Sequence, residues 1–308
     1  AGIKMSESPA RLGKTLVARG LTALAIDHLW DSTDRIDVVY ICSNADIARQ
    51  NIRRLNVTGQ EDYAMASRIT MLPLEVRDLR ENKLNFLSLT PSTSFNLKSA
   101  TGMAGERALL FHLLADHWKL SAKGAVNVLQ VTAGADRFRE QVRDFDTDGI
   151  DPSLWKAFLG RVDESGGAAG GAARPDMRSR FLACAEAYAR IDARVSEEQK
   201  RERSAVIGEL RAMLATACLR ALEPDLIILD EFQRFKHLLN PDDPGAAFAK
   251  ELFDYEEHEA KARVLLLSAT PYKMYTTADE SAEAHYADFL QTLDFLLHHD
   301  TGRLAECE

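Results

Sequence analysis

The chain is 308 residues long, 46% hydrophobic, and carries a formal net charge of −9. That length holds one large domain or two modest ones with a sizeable core. The acidic balance argues against a protein that coats nucleic acid by electrostatics alone, though not against one that grips a strand through backbone amides and hydroxyls in a local groove. No apolar run approaches the roughly 20 residues that cross a bilayer, and no secretory signal pattern opens the chain. The first residue is Ala1 rather than Met, so a fragment of a longer, non-membrane protein is expected. Cys42, Cys184, Cys218 and Cys307 are scattered without metal-site or disulfide spacing, which fits buried free thiols in a reducing cytoplasm.

In chain order, the first informative stretch is Gly13-Lys14-Thr15, followed by a helix-forming run expected over Thr15–Trp30. Gly-Lys-Thr at a helix start is the second half of a phosphate-binding loop. Backbone N–H groups at the helix end cradle phosphate, the lysine reaches the β- and γ-phosphates, and the threonine hydroxyl ligates Mg²⁺. The first half is irregular, with Ser8 and Arg11 where glycines are expected; the bland alternative is a chance triplet at a helix N-terminus.

A strand over Asp37–Cys42 then leads through Ser43 and Asn44 into a helix. Those two residues are either backbone-phosphate donors or helix caps, Asn being a favoured N-cap. Arg68–Leu74 and Leu84–Leu89 read as two further strands, the second running into Thr90-Pro91-Ser92-Thr93-Ser94. Such hydroxyls grip phosphate or simply make turns.

From about Met103 the texture changes to Ala, Leu, Arg and Glu, and helices are expected over Glu106–Leu120, Arg178–Arg194 and Ser196–Leu222. The Gly/Ala-rich stretch 165–173 reads as a flexible loop. Arg178, Arg180, Arg190, Arg194, Lys200, Arg201, Arg203 and Arg211 interleave with glutamates, so a salt-bridged face is expected in preference to a nucleic-acid surface.

Leu226-Ile227-Ile228-Leu229 is an apolar run without alternation, as in a parallel strand buried on both faces. Asp230 and Glu231 follow it directly, at the strand end where α/β sheets bind ligands. Helices are expected over Phe232–Leu239, Phe248–His258 and His285–His298. A second buried run, Val264–Leu267, ends in Ser268-Ala269-Thr270-Pro271.

Strand, Asp230-Glu231-Phe232-Gln233, helix, strand, Ser268-Ala269-Thr270: in this order the sequence resembles the superfamily 2 helicases and translocases (DEAD/DEAH-like), whose motif II is DExH/Q and whose motif III is SAT. The Gly13-Lys14-Thr15 loop and the Ser268–Tyr272 segment lean toward the SNF2/RapA-like branch. The resemblance implies an α/β fold: a RecA-like P-loop NTPase domain with a parallel sheet flanked by helices. Its first part is residues 1–103, a helical insertion occupies 104–222, and the second part is 223–308.

It further implies ATP and Mg²⁺ as cofactors, DNA or RNA as partner, and a second RecA-like domain elsewhere in the parent chain. By that likeness Gly13, Lys14 and Thr15 bind ATP, and Thr15 and Asp230 hold Mg²⁺. Glu231 polarises the lytic water, and Gln233 connects the γ-phosphate to motif III. Ser268, Ala269 and Thr270 couple nucleotide state to a groove in which Ser43, Asn44, Thr90, Ser92 and Thr93 meet the strand. Two other readings stay open: a P-loop ATPase that does not act on nucleic acid, and a degenerate module that binds without hydrolysis.

Overall fold

The computed structural model describes residues 13–57, 68–90, 94, 97, 101–165, 175–189, 195–232, 235, 238, 245–257 and 260–268. In chain order the elements are α1 (Gly13–Leu29), β1 (Ile36–Ile41), α2 (Ala45–Leu55), a 3₁₀ turn (Ile69–Met71), α3 (Leu72–Glu81), β2 (Leu84–Leu89), α4 (Ala104–Trp118), α5 (Ala122–Gln130), α6 (Ala135–Arg143), α7 (Pro152–Glu164), α8 (Met177–Ala187), α9 (Glu197–Leu222), β3 (Leu226–Asp230), α10 (Ala246–Phe253), β4 (Glu256–Glu257), β5 (Ala260–Lys261) and β6 (Arg263–Leu267). They form two compact units, one of 1–65, 82–91 and 223–308, the other of 66–81 and 92–222.

The first unit is α/β. Its sheet is four-stranded, ordered β2-β1-β3-β6, and every pairing is parallel. The contiguous apolar runs of the sequence are these strands, because a parallel strand presents apolar side chains to both faces. Ile36, Val38, Tyr40 and Cys42 alternate onto one face, where they pack with Phe86, Leu226, Ile228, Leu265 and Leu267 and with Ala18, Ile26, Leu29, Ala48, Ile52 and Leu55 of α1 and α2. The opposite face carries Val39, Ile41, Leu87, Ile227 and Leu229, all buried. From β1 the chain passes to β2 on one side of the sheet, and from β3 to β6 on the other. The order therefore reverses between β1 and β3, and a crevice opens at the carboxyl ends of an open parallel sheet at such a point.

The second unit is helical, as expected for the middle of the chain, but it also takes residues 66–81. Here the strand expected over Arg68–Leu74 is corrected: the 3₁₀ turn Ile69–Met71 leads into α3. Pro73 lies in the first turn of that helix, where its missing N–H costs no hydrogen bond. The helix expected over Phe248–His258 also stops short, at Phe253, and the chain turns into the antiparallel pair β4–β5, closed by Ala262 N–H to Tyr255 O at 3.1 Å.

The long helix α9 is central to the second unit: from Val206 onward it is buried on several sides, against α3, α4, α7 and α8. Arg180 pairs with Glu202 and Glu209, each at 2.7 Å, and Lys200 with Glu197, so these members of the Arg/Glu stretch pair within it. Among the described residues no helix is long and apolar enough to cross a membrane.

Candidate functional site

The site is built from α1, β1, α2 and the end of β3 in the α/β unit. Along α1 the buried stripe is Ala18, Thr22, Ile26 and Leu29. Lys14 and Thr15 stand four and three residues before Ala18, which places them on the same helix face, one turn nearer the N-terminus. The first turn of the helix thus carries an ammonium and a hydroxyl, and the N–H groups of a helix start favour anions. Residues Ser8 to Leu12, with the irregular half of the loop, lie outside the described residues.

At the end of β3, Asp230 falls two residues beyond Ile228 and on the same face of the sheet, the face that α1 and α2 cover. Successive strand residues point to opposite faces, so an adjacent carboxylate would ordinarily point away. Glu231 escapes this alternation with a left-handed backbone, φ 56°. The turn brings both carboxylates to a single cavity of about 200 Å³, lined by Lys14, Thr15, Tyr40, Asn51, Asp230 and Glu231. A left-handed non-glycine residue costs roughly 1–2 kcal/mol, and such strain concentrates at functional sites.

Tyr40 and Asn51 escaped the sequence reading. The Tyr40 hydroxyl donates to Asp230 Oδ2 at 2.5 Å, and Asn51 Nδ2 donates to the Tyr40 hydroxyl at 2.8 Å and to Asp230 Oδ2 at 3.4 Å. Burial, then the nearby Asp230 charge, pushes the phenol far above its ordinary range, so Tyr40 stays a donor at any working pH. A polar Tyr–Asn pair inside an apolar strand and its next helix was the available signal: buried polar groups find partners.

Of the other expected site residues, Ser268 is buried one position past Leu267, which pairs with Asp230 and lines the same cavity. Ser43 and Asn44 are exposed at the start of α2. The Asn44 side-chain oxygen accepts from Asp46 N–H at 2.8 Å and Ile47 N–H at 3.2 Å, so it caps the helix. Thr90, just past the end of β2, is 4% exposed. Gln233, Ala269, Thr270, Ser92 and Thr93 lie outside the described residues.

The donor set suits a hard divalent ion. Among the described residues no cluster of three or more His, Cys, Asp or Glu could hold a metal by itself. Mg²⁺, however, is usually held by one or two carboxylates together with substrate phosphates rather than by an all-protein cage. One ammonium faces two carboxylates here, so a bare polyphosphate would be repelled, and a divalent cation entering with it restores the balance. Comparison of the chain with protein-family models, with curated proteins and with solved structures gave no match.

Proposed function

We propose that the α/β unit is a RecA-like ATP-binding domain and that the protein is an ATP hydrolase of the helicase or translocase type, acting on DNA or RNA. The observation that carries this reading is the convergence of Lys14 and Thr15 with Asp230 and Glu231, from distant parts of the sequence, on one cavity at the strand-order reversal. Two half-motifs, each weak alone, meet where phosphate chemistry needs them to meet. The cavity's size fits the polyphosphate end of a nucleotide, since whole small-molecule pockets run to about 300–1,000 Å³.

In this mechanism Lys14 neutralises charge on the β- and γ-phosphates, and the first turn of α1 offers its N–H groups to the phosphate oxygens. The Thr15 hydroxyl and Asp230 would hold Mg²⁺, which would supply neutralisation of the phosphate charge. Glu231 orients the attacking water and takes up its proton as the bond to the γ-phosphorus forms and the bond from that phosphorus to the β–γ bridging oxygen breaks, releasing ADP. Ser268, beside Leu267, reports the occupied state toward the exposed Ser43–Asn44 end of α2. Phosphoryl transfer of this kind also draws on an arginine supplied across a domain interface, worth about 10³–10⁵ in rate. A second RecA-like domain is therefore the partner this reading requires, and the chain by itself is a slow ATPase. The buried thiols Cys42, Cys184 and Cys218 support a reducing compartment, which we take to be the cytoplasm.

The test is a pair of variants. Glu231→Gln keeps Mg-ATP binding, measured as thermal stabilisation, and loses hydrolysis. Lys14→Ala loses binding itself, because its charge acts on the ground-state phosphates. No stabilisation of the unmodified chain by millimolar Mg-ATP would leave the non-nucleotide readings standing. ATP turnover indifferent to added DNA or RNA, in a chain that includes the second domain, would favour an ATPase without a nucleic-acid track.

A further inference from the structure

Resting on the nucleotide reading, we propose that Tyr40 and Asn51 are positioning residues that make Asp230 a one-oxygen ligand. The cavity would thereby select a small octahedral divalent ion, Mg²⁺ or Mn²⁺, over Ca²⁺. A phenol carries one hydrogen and here gives it to Asp230 Oδ2, while its lone pair receives Asn51 Nδ2, so the order of donation is Asn51 to Tyr40 to Asp230. Asn51 Nδ2 also lies 3.4 Å from the same Asp230 oxygen. Among the described residues these bonds all fall on Oδ2 and none on Oδ1. A carboxylate held at one oxygen by two donors is fixed in rotation about its terminal torsion, and that oxygen has little electron density left for a metal. Oδ1 is the oxygen left for the cavity.

The consequence is coordination number. Ca²⁺ takes 6–8 oxygens and readily uses both oxygens of a carboxylate; Mg²⁺ demands near-octahedral geometry and takes one. Holding Oδ2 out of reach removes the bidentate mode that favours Ca²⁺. The holding is rigid because its parts come from three packed elements. Tyr40 stands in β1 and Asp230 ends β3, its immediate neighbour in the sheet. Asn51 lies one position before the fully buried Ile52 of α2.

The experiment measures the metal concentration giving half-maximal thermal stabilisation at saturating ATP, with Mg²⁺ and separately with Ca²⁺, for the unmodified chain, Tyr40→Phe, Asn51→Leu and Asp230→Asn. Because both midpoints are compared across proteins, chelation by free ATP cancels from the ratio. The expected result is a 3- to 10-fold rise in the Mg²⁺ midpoint in Tyr40→Phe and Asn51→Leu. The Ca²⁺ midpoint moves less, so the preference for Mg²⁺ falls. Asp230→Asn loses most of the response to both ions. Equal shifts for both ions, or unchanged midpoints with only a lower melting temperature in the absence of ligand, would overturn the proposal and leave the two residues a purely structural role.

If ATP fails to stabilise the unmodified chain with either ion, the nucleotide reading falls and the positioning proposal, which rests on it, falls with it; equal shifts for both ions in the presence of bound ATP overturn the positioning proposal alone.

Discussion

Asn85 Nδ2 donates to Asp37 Oδ1 at 2.8 Å, between directly paired positions of β1 and β2, and both residues are buried. Arg35 reaches the other Asp37 oxygen at 2.8 Å, and Asp225 accepts from the Asp37 backbone N–H. A carboxyl so enclosed in a parallel sheet pays heavily for its charge. Burial, offset in part by Arg35 and Asn85, pushes Asp37 up to about 7.

A folded-state pKa raised above the ordinary carboxyl value means that this group favours folding below about pH 4, and that the contribution is lost as pH rises through about 7. Relative to the native chain, Asp37→Asn should therefore gain stability steadily from pH 5 to pH 8. The gain should be on the order of 3 kcal/mol at the upper end. The asparagine oxygen still accepts from Asn85. Urea melts of both proteins at pH 5, 6, 7 and 8 decide the matter, and parallel pH curves would show that Asp37 titrates normally.

In the helical unit the decisive pair is Glu106 and Arg211, 3.1 Å apart and both almost fully buried. Thr70 donates to Glu106, Met103 N–H donates to it at 2.5 Å, and Arg68 lies at 3.5 Å. Burial works to raise the Glu106 pKa, but Arg211, Thr70 and the Met103 N–H together hold it below the ordinary range. That contribution is present above the ordinary pKa and is lost as pH falls through the depressed folded value.

Removing one partner leaves a buried charge uncompensated, so Arg211→Met should cost about 3–5 kcal/mol. Glu106→Gln combined with Arg211→Met should cost less than the sum of the two single changes. Additive losses in denaturant melts would show that the pair is uncoupled. Gly102→Ala should destabilise as well: its φ is +70°, and an added Cβ would collide with both Arg211 and Glu106.

The left-handed backbone at Glu231 predicts an inverted order of small residues. In a strand or helix alanine is more stable than glycine; at a positive φ only glycine is free of strain. Glu231→Gly should therefore be more stable than Glu231→Ala by about 1 kcal/mol, although both lose the carboxylate and any hydrolysis it supports. The usual order, alanine above glycine, would mean that the turn relaxes when the side chain is removed.

The sequence by itself marked the candidate buried strands. Strand β3 and most of β6 are apolar runs, while β1 and β2 are apolar runs interrupted by Asp37, Asn85 and Ser88, and such runs suit strands buried on both faces. It also determined that Lys14-Thr15 begin a helix and that Asp230-Glu231 end a strand, because both signals are local. The run Arg68–Leu74 misled because apolar content alone does not separate a buried strand from a buried helix start. Pro73 decides for the helix only where its N–H is not needed.

Tertiary structure alone decided the strand order and the register of Tyr40 against Ile228, and from these the meeting of Tyr40, Asn51 and Asp230. It also decided that Glu231 turns back toward the same cavity as its neighbour. Hydrogen bonds between residues so far apart in sequence have no local signature. They exist only once nonlocal pairing has brought the strands side by side, and the side-chain period of two then sets which groups face each other.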